Sequence, residues 1–113
     1  MQKQEGGREN AAREVGVSFY MRSDDNTKAI VEALRKRGAI VLYLKAVSRT
    51  KGVPDLIVGI FGTWFMLEIK NAKGVLSPEQ EKWHKSAASV GGPIATVRTA
   101  DEALVAVGLE PAF

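Results

Sequence analysis

The 113-residue sequence contains no cysteine and only one histidine, His84. The first absence removes disulfides, zinc–thiolate sites and thiol nucleophiles together. The second leaves no histidine-rich metal site and argues against a serine–histidine triad. No apolar run approaches the ~18 residues that cross a bilayer, and Met1 to Asn10 lack the apolar stretch of a signal peptide. A cytoplasmic protein with no membrane partner is the expectation. Repeats and low-complexity tracts are absent too. What is present is a chain 45% hydrophobic and 26% charged, with both signs interspersed, sized for one compact domain around one core.

The net charge of +3 is mild, and its placement says more than its size. Arg35-Lys36-Arg37, Lys45, Arg49, Lys51, Lys70 and Lys73 are basic, whereas Asp55 and Glu68 are the only acids between Arg35 and Lys73. A basic surface around two isolated carboxylates suits a phosphodiester substrate.

Residues 1–22 read as a polar N-terminal arm with one apolar segment, Val15 to Tyr20, and residues 23–113 as the folded domain. Ser23-Asp24-Asp25-Asn26 offers several N-caps for a first helix. Ile30, Val31 and Leu34 form its apolar stripe, with Thr27 on the same face. Arg35 to Arg37 fall in its last turn, where cations suit the helix dipole, and Gly38 stops it. Ala39 to Leu44 predicts a strand and Val47 to Gly52 a polar, basic loop. Pro54 opens a second strand, Asp55 to Ile60, and Phe61-Gly62-Thr63 turns into a third, Trp64 to Lys70. Runs this apolar suggest strands covered on both faces. Asn71 to Leu76 forms a loop. Ser77-Pro78-Glu79-Gln80 is a capping box with proline at the first helical position, starting a helix to about Ser89. Ile94 to Val97 is a further strand, and Thr99 to Glu102 is a second capping box for a short last helix. The predicted order is α-β-β-β-α-β-α, an α/β fold with a mixed sheet flanked by helices.

Asp55 follows Gly52-Val53-Pro54, and twelve residues separate it from Glu68-Ile69-Lys70. Alternate side chains share a strand face, so Glu68 and Lys70 project together. A hairpin brings Asp55, at the start of one strand, beside them at the end of the next. Two hard carboxylates, helped by a backbone carbonyl such as that of Ile69, can hold Mg²⁺ or Mn²⁺ and leave positions for water and phosphate. Such an ion polarises the phosphate and lowers the pKa of water bound to it. A neighbouring lysine can orient or deprotonate the attacking water and stabilise the developing charge. Arg49, Lys51, Gly52 and Lys73 flank this constellation as candidate phosphate contacts, with Gly52 allowing close backbone approach.

The Pro-Asp … Glu-x-Lys pattern resembles the PD-(D/E)xK nuclease superfamily, whose members share a restriction-endonuclease-like core. Gly-Val-Pro-Asp-Leu-Ile-Val-Gly, Phe-Met-Leu-Glu-Ile-Lys and Leu-Ser-Pro-Glu-Gln-Glu-Lys-Trp together resemble one branch of it, the virus-type replication-repair nuclease (VRR-NUC) domain, from Thr27 to Val97. Stand-alone domains of this kind belong mainly to phages and bacteria. The resemblance implies a Mg²⁺- or Mn²⁺-dependent, structure-specific DNA endonuclease. It further implies a homodimer acting on Holliday junctions or flaps, in a bacterial or phage-infected cell. It assigns metal binding to Asp55 and Glu68, catalysis to Lys70 and a supporting role to Gln80, a position that the capping box explains equally well. The family's first-helix glutamate has no counterpart on the inward face, where Thr27 stands. Asp24, Asp25 and Glu32 are the candidates to replace it. A catalytically silent nucleic-acid-binding relative and a nuclease acting on linear DNA are the competing readings. Trp64, Phe65 and Trp83 read as core or dimer surface, the arm as a further dimer contact, and His84 as a helix-surface residue.

Overall fold

A computed structural model describes residues 21–111, with side chains from Asn26 onward. The apolar segment from Val15 to Tyr20 lies outside the described residues, as do the side chains of Asp24 and Asp25. Eight elements follow one another: α1 Met21–Lys36, β1 Ile40–Tyr43, α2 Leu44–Val47, β2 Leu56–Ile60, β3 Thr63–Ile69, α3 Pro78–Ser89, β4 Ile94–Val97 and α4 Ala100–Ala106. The strands form one sheet in the order β1-β2-β3-β4. The first two pairings are antiparallel and β3–β4 is parallel. This is the predicted mixed sheet flanked by helices.

Period-two alternation sorts the side chains onto two faces. Val41, Leu56, Val58, Leu67 and Val97 point to one side, where they pack with Ile30, Val31 and Leu34 of α1 and with Ala103, Leu104 and Val107 at α4. Leu34, Leu56, Leu67 and Leu104 are all fully buried, each contributing about 1.5–3 kcal/mol relative to exposure. The other face carries α3 against β4 and the end of β3. Among the described residues nothing covers it over β1 and the start of β3, where Ile40, Leu42 and Trp64 remain more than half exposed. Among the described residues, the expectation of strands buried on both faces therefore holds only for β4 and the end of β3. A short apolar run reads the same whether or not its second face is covered, because periodicity is lost in either case.

Two boundaries differ from the sequence reading in ways that matter for function. The first helix spans Met21–Lys36, so Ser23 to Asn26 lie within it and not ahead of its first residue as expected. The second difference is α2, one helical turn where a strand end and loop were expected. Its first amide, Leu44 N, donates to the carbonyl of Asp55 at 2.9 Å. A single turn shows no 3.6-residue period, and the flanking Leu44 and Val47 look like strand residues.

Both later helices start as their sequences indicate, with one adjustment. Ser77 Oγ accepts from Gln80 N while Gln80 Oε1 accepts from Ser77 N, completing the capping box. At α4 only half of the box forms. Thr99 accepts from Glu102 N, but Glu102 accepts instead from the amide of Arg98, one residue further back.

Candidate metal and phosphate site

The β2–β3 register pairs Leu56 with Leu67. Extending it by one step sets Asp55 opposite Glu68, and side chain and backbone then lock the two strand ends together. Asp55 Oδ2 accepts from the amide of Ile69 at 2.7 Å. In an extended strand the carbonyl of a residue points to the same neighbour as its amide, so the Ile69 carbonyl also faces the Asp55 side. Lys70, just beyond β3, donates its amide to Val97 and brings its Nζ to 3.9 Å from Glu68 Oε2. Asp55, Glu68, Ile69 and Lys70 are thus gathered on one cleft wall, as the spacing predicts.

Glu68 is 1% exposed, a costly place for a carboxylate. Its Oε2 accepts from Gln80 Nε2 at 3.2 Å, whereas Oε1 is buried with no hydrogen-bond partner. Burial pushes its pKa from 4.5 up to about 7, and the adjacent Asp55 carboxyl adds to the rise through hydrogen bonding and like charge. The ammonium groups of Lys45 and Lys70 pull in the opposite direction. Gln80 proves to serve two ends at once. Its Oε1 closes the capping box and its Nε2 holds Glu68, so helix start and carboxylate anchoring share one side chain.

The sequence reading gave Lys45 no role here, yet its Nζ lies 3.1 Å from Asp55 Oδ1 and 3.7 Å from Glu68 Oε2. The bond from Leu44 N to Asp55 explains the placement, because α2 starts beside Asp55 and the next side chain falls on the carboxylates. A run of basic residues was the only sequence signal, and it did not separate Lys45 from its neighbours. The cleft of about 320 Å³ is lined by Asn26, Thr27, Lys45, Asp55, Glu68, Ile69, Lys70, Asn71 and Gly74. At ~30 Å³ per water, it can hold an ion with its hydration shell or a phosphate group, but not a duplex.

Other candidates fall differently. Glu32 is exposed and borders a separate groove with Lys36, Arg37 and Leu104, which removes it as the first-helix acid. The inward positions are held by Thr27 and by Asn26, whose Nδ2 donates to the Lys70 carbonyl at 3.0 Å. Among the described residues no cluster of three or more His, Asp or Glu side chains could hold a metal. The site offers two carboxylates and backbone oxygen. Arg49 and Lys51 are exposed outside the cleft lining. Gly52 has φ 87°, and a Cβ there would collide with the Glu79 carbonyl, so this glycine is required for packing against the first turn of α3. Lys73 is exposed, on a loop that Arg98 braces by donating to the carbonyls of Asn71 and Gly74.

Arg35 and Arg37 donate to the carbonyls of Val41 and Glu110, a structural use that suits a helix terminus. Phe65 packs on the core and Trp64 covers Gly59 on the opposite face. His84 lies on α3 as a half-buried residue. Its Nε2 is buried without a partner, and burial, then the charge of Lys70, lowers its pKa.

No protein family model and no curated protein matches the chain. A solved structure described as a VRR_NUC domain does match it, at a TM-score of 0.63 and 21% identity, over 73% of this chain and 89% of that one. The chain therefore shares its α/β fold, a mixed sheet flanked by helices, with a VRR_NUC domain.

Proposed function

We propose that this chain is a DNA nuclease that hydrolyses phosphodiester bonds with Mg²⁺ or Mn²⁺. The observation that carries the reading is Glu68: a buried carboxylate with one unpartnered oxygen, beside a second carboxylate, in a cleft with two ammonium groups. Such a donor set fits a hard divalent cation that retains several waters. Asp55, Glu68 and the Ile69 carbonyl would hold the ion. Bound there, it would polarise the phosphate and lower the pKa of water.

The chain's own groups supply the rest. Lys70, anchored through its backbone to β4 and α1, presents its ammonium to the attacking water and the charge that grows on phosphate oxygen. Gln80 fixes the Glu68 carboxylate against rotation. Arg49, Lys51 and Lys73 contact phosphates along the approaching strand, with the Gly52 backbone close by. Branched DNA is the substrate assigned to it, cut by a homodimer whose two sites are related by a two-fold axis. Trp64 with Ile40 and Leu42 is the apolar surface on which a second copy would sit. A cytoplasmic setting, in a bacterium or a phage-infected host, belongs to the same reading.

The test is cleavage of labelled duplex, single strand, flap and four-way junction with Mg²⁺, Mn²⁺ or EDTA, alongside Asp55→Asn. Metal-dependent cutting of branched substrates by the wild type alone is expected. Binding without cutting would return the silent relative, and equal cutting of linear duplex would return the linear-DNA nuclease. Light scattering at micromolar concentration checks the dimer, which a monomer with full junction activity would refute.

A further inference from the structure

Lys45 has no part in the chemistry just proposed, yet its ammonium bridges the two carboxylates at 3.1 and 3.7 Å. The hydrogen bonds around it show what an incoming ion would meet. Asp55 Oδ2 is committed to the Ile69 amide that ties β2 to β3, so Oδ1 is the oxygen that can turn to a cation without breaking a backbone bond. That oxygen is the one Lys45 holds. Glu68 Oε1 has no hydrogen bond to give up. A divalent ion shared by Asp55 and Glu68 and an ammonium at Asp55 Oδ1 repel one another at this distance.

The two lysines of the cleft are not equivalent. The Lys45 side chain is 45% exposed and that of Lys70 19%. Lys45 also stands on a one-turn helix, and a partly solvated ammonium on a flexible stem leaves an ion pair at small cost.

We propose that Lys45 is a displaceable counter-cation: it bridges Asp55 and Glu68 in the metal-free protein, yields Asp55 Oδ1 to the divalent ion, and then contacts a DNA phosphate. The proposal rests on the metal-nuclease reading. It makes the basic charge of the cleft change address when the ion arrives, so that metal binding prepares the phosphate contact.

Lys45→Met removes the charge and keeps a similar stem, and Lys45→Gln is a second uncharged variant; circular dichroism in EDTA checks that each folds. Titration calorimetry with Mn²⁺ should give an affinity on the order of tenfold tighter than wild type in both, because one repulsive charge has gone. Anisotropy of a labelled four-way junction should show the wild-type salt slope lowered by about one in the variants when Ca²⁺ is present. In EDTA the variants should match the wild-type slope. Unchanged or weaker Mn²⁺ affinity overturns the displacement, and so does an equal loss of slope in EDTA. If Mn²⁺ binds neither wild type nor variants, the metal-nuclease reading falls and this inference falls with it. Wild-type binding without a gain in the variants overturns this inference alone.

Discussion

Replacing Glu68 with glutamine should make the metal-free protein more stable while removing its function. In the folded chain the carboxyl titrates near 7, against 4.5 for a free side chain. Between those values the folded state keeps a proton that the unfolded chain has released, so stability falls as pH rises through that window and levels off above it. Each unit is worth about 1.4 kcal/mol, which puts the cost of the buried anion at about 3 kcal/mol above pH 7. Glu68→Gln keeps the shape and an acceptor for Gln80 Nε2, and it carries no charge. In EDTA at pH 8 the variant should therefore be more stable than wild type by about 3 kcal/mol, or on the order of 10 °C in melting temperature for a domain of this size. At pH 4.5 the two should nearly coincide. Adding Mn²⁺ should raise the wild type by mass action and leave the variant unmoved. Urea and thermal denaturation from pH 4.5 to 8.5, with and without metal, measure all of this. A variant less stable than wild type at pH 8, or a difference that does not change with pH, would refute the account of Glu68 as a strained, metal-seeking anion.

Asp55→Asn and Lys70→Ala should each abolish cleavage with the fold retained. Calorimetry should show Mn²⁺ binding weakened by the first and preserved in the second. Arg49→Ala with Lys51→Ala should lower the salt slope of DNA binding by about two, one for each phosphate contact, and an unchanged slope places the DNA path elsewhere. Gln80→Ala should cost about 1–3 kcal/mol, because it removes a donor from buried Glu68 and an acceptor from Ser77 N at once. Glutamate at the same position restores the cap but sets a second carboxylate against the first, so its melting temperature should stay below wild type above pH 7.

Most elements were legible in the sequence because their signals are local. Ser77-Pro78-Glu79-Gln80 starts α3 by its own hydrogen bonds, and Gly38 and Gly91 end helices at positive φ. The alternation at Glu68-Ile69-Lys70 places two functional side chains on one face whatever packs around them. What local signals could not carry was the environment of those side chains. That Asp55 lies beside Glu68 follows from hairpin spacing. That Glu68 is buried, short of one partner and titrating near 7 depends on α3, Lys45 and Lys70 arriving together. Lys45 was one basic residue among many until the Leu44–Asp55 hydrogen bond fixed a helical turn over the carboxylates. The first-helix position was decided in the same way. Wheel geometry put Thr27 on the inward face, but Glu32 stayed a candidate until its exposed place on a separate groove removed it, and only packing against the end of β3 turned Asn26 toward Lys70. The sequence by itself determined which residue types could do metal chemistry and on which strands they stand, because strand period and turn spacing are short-range. Their charge balance and partners were decided by tertiary structure, because burial and Coulomb interaction depend on neighbours distant in the chain.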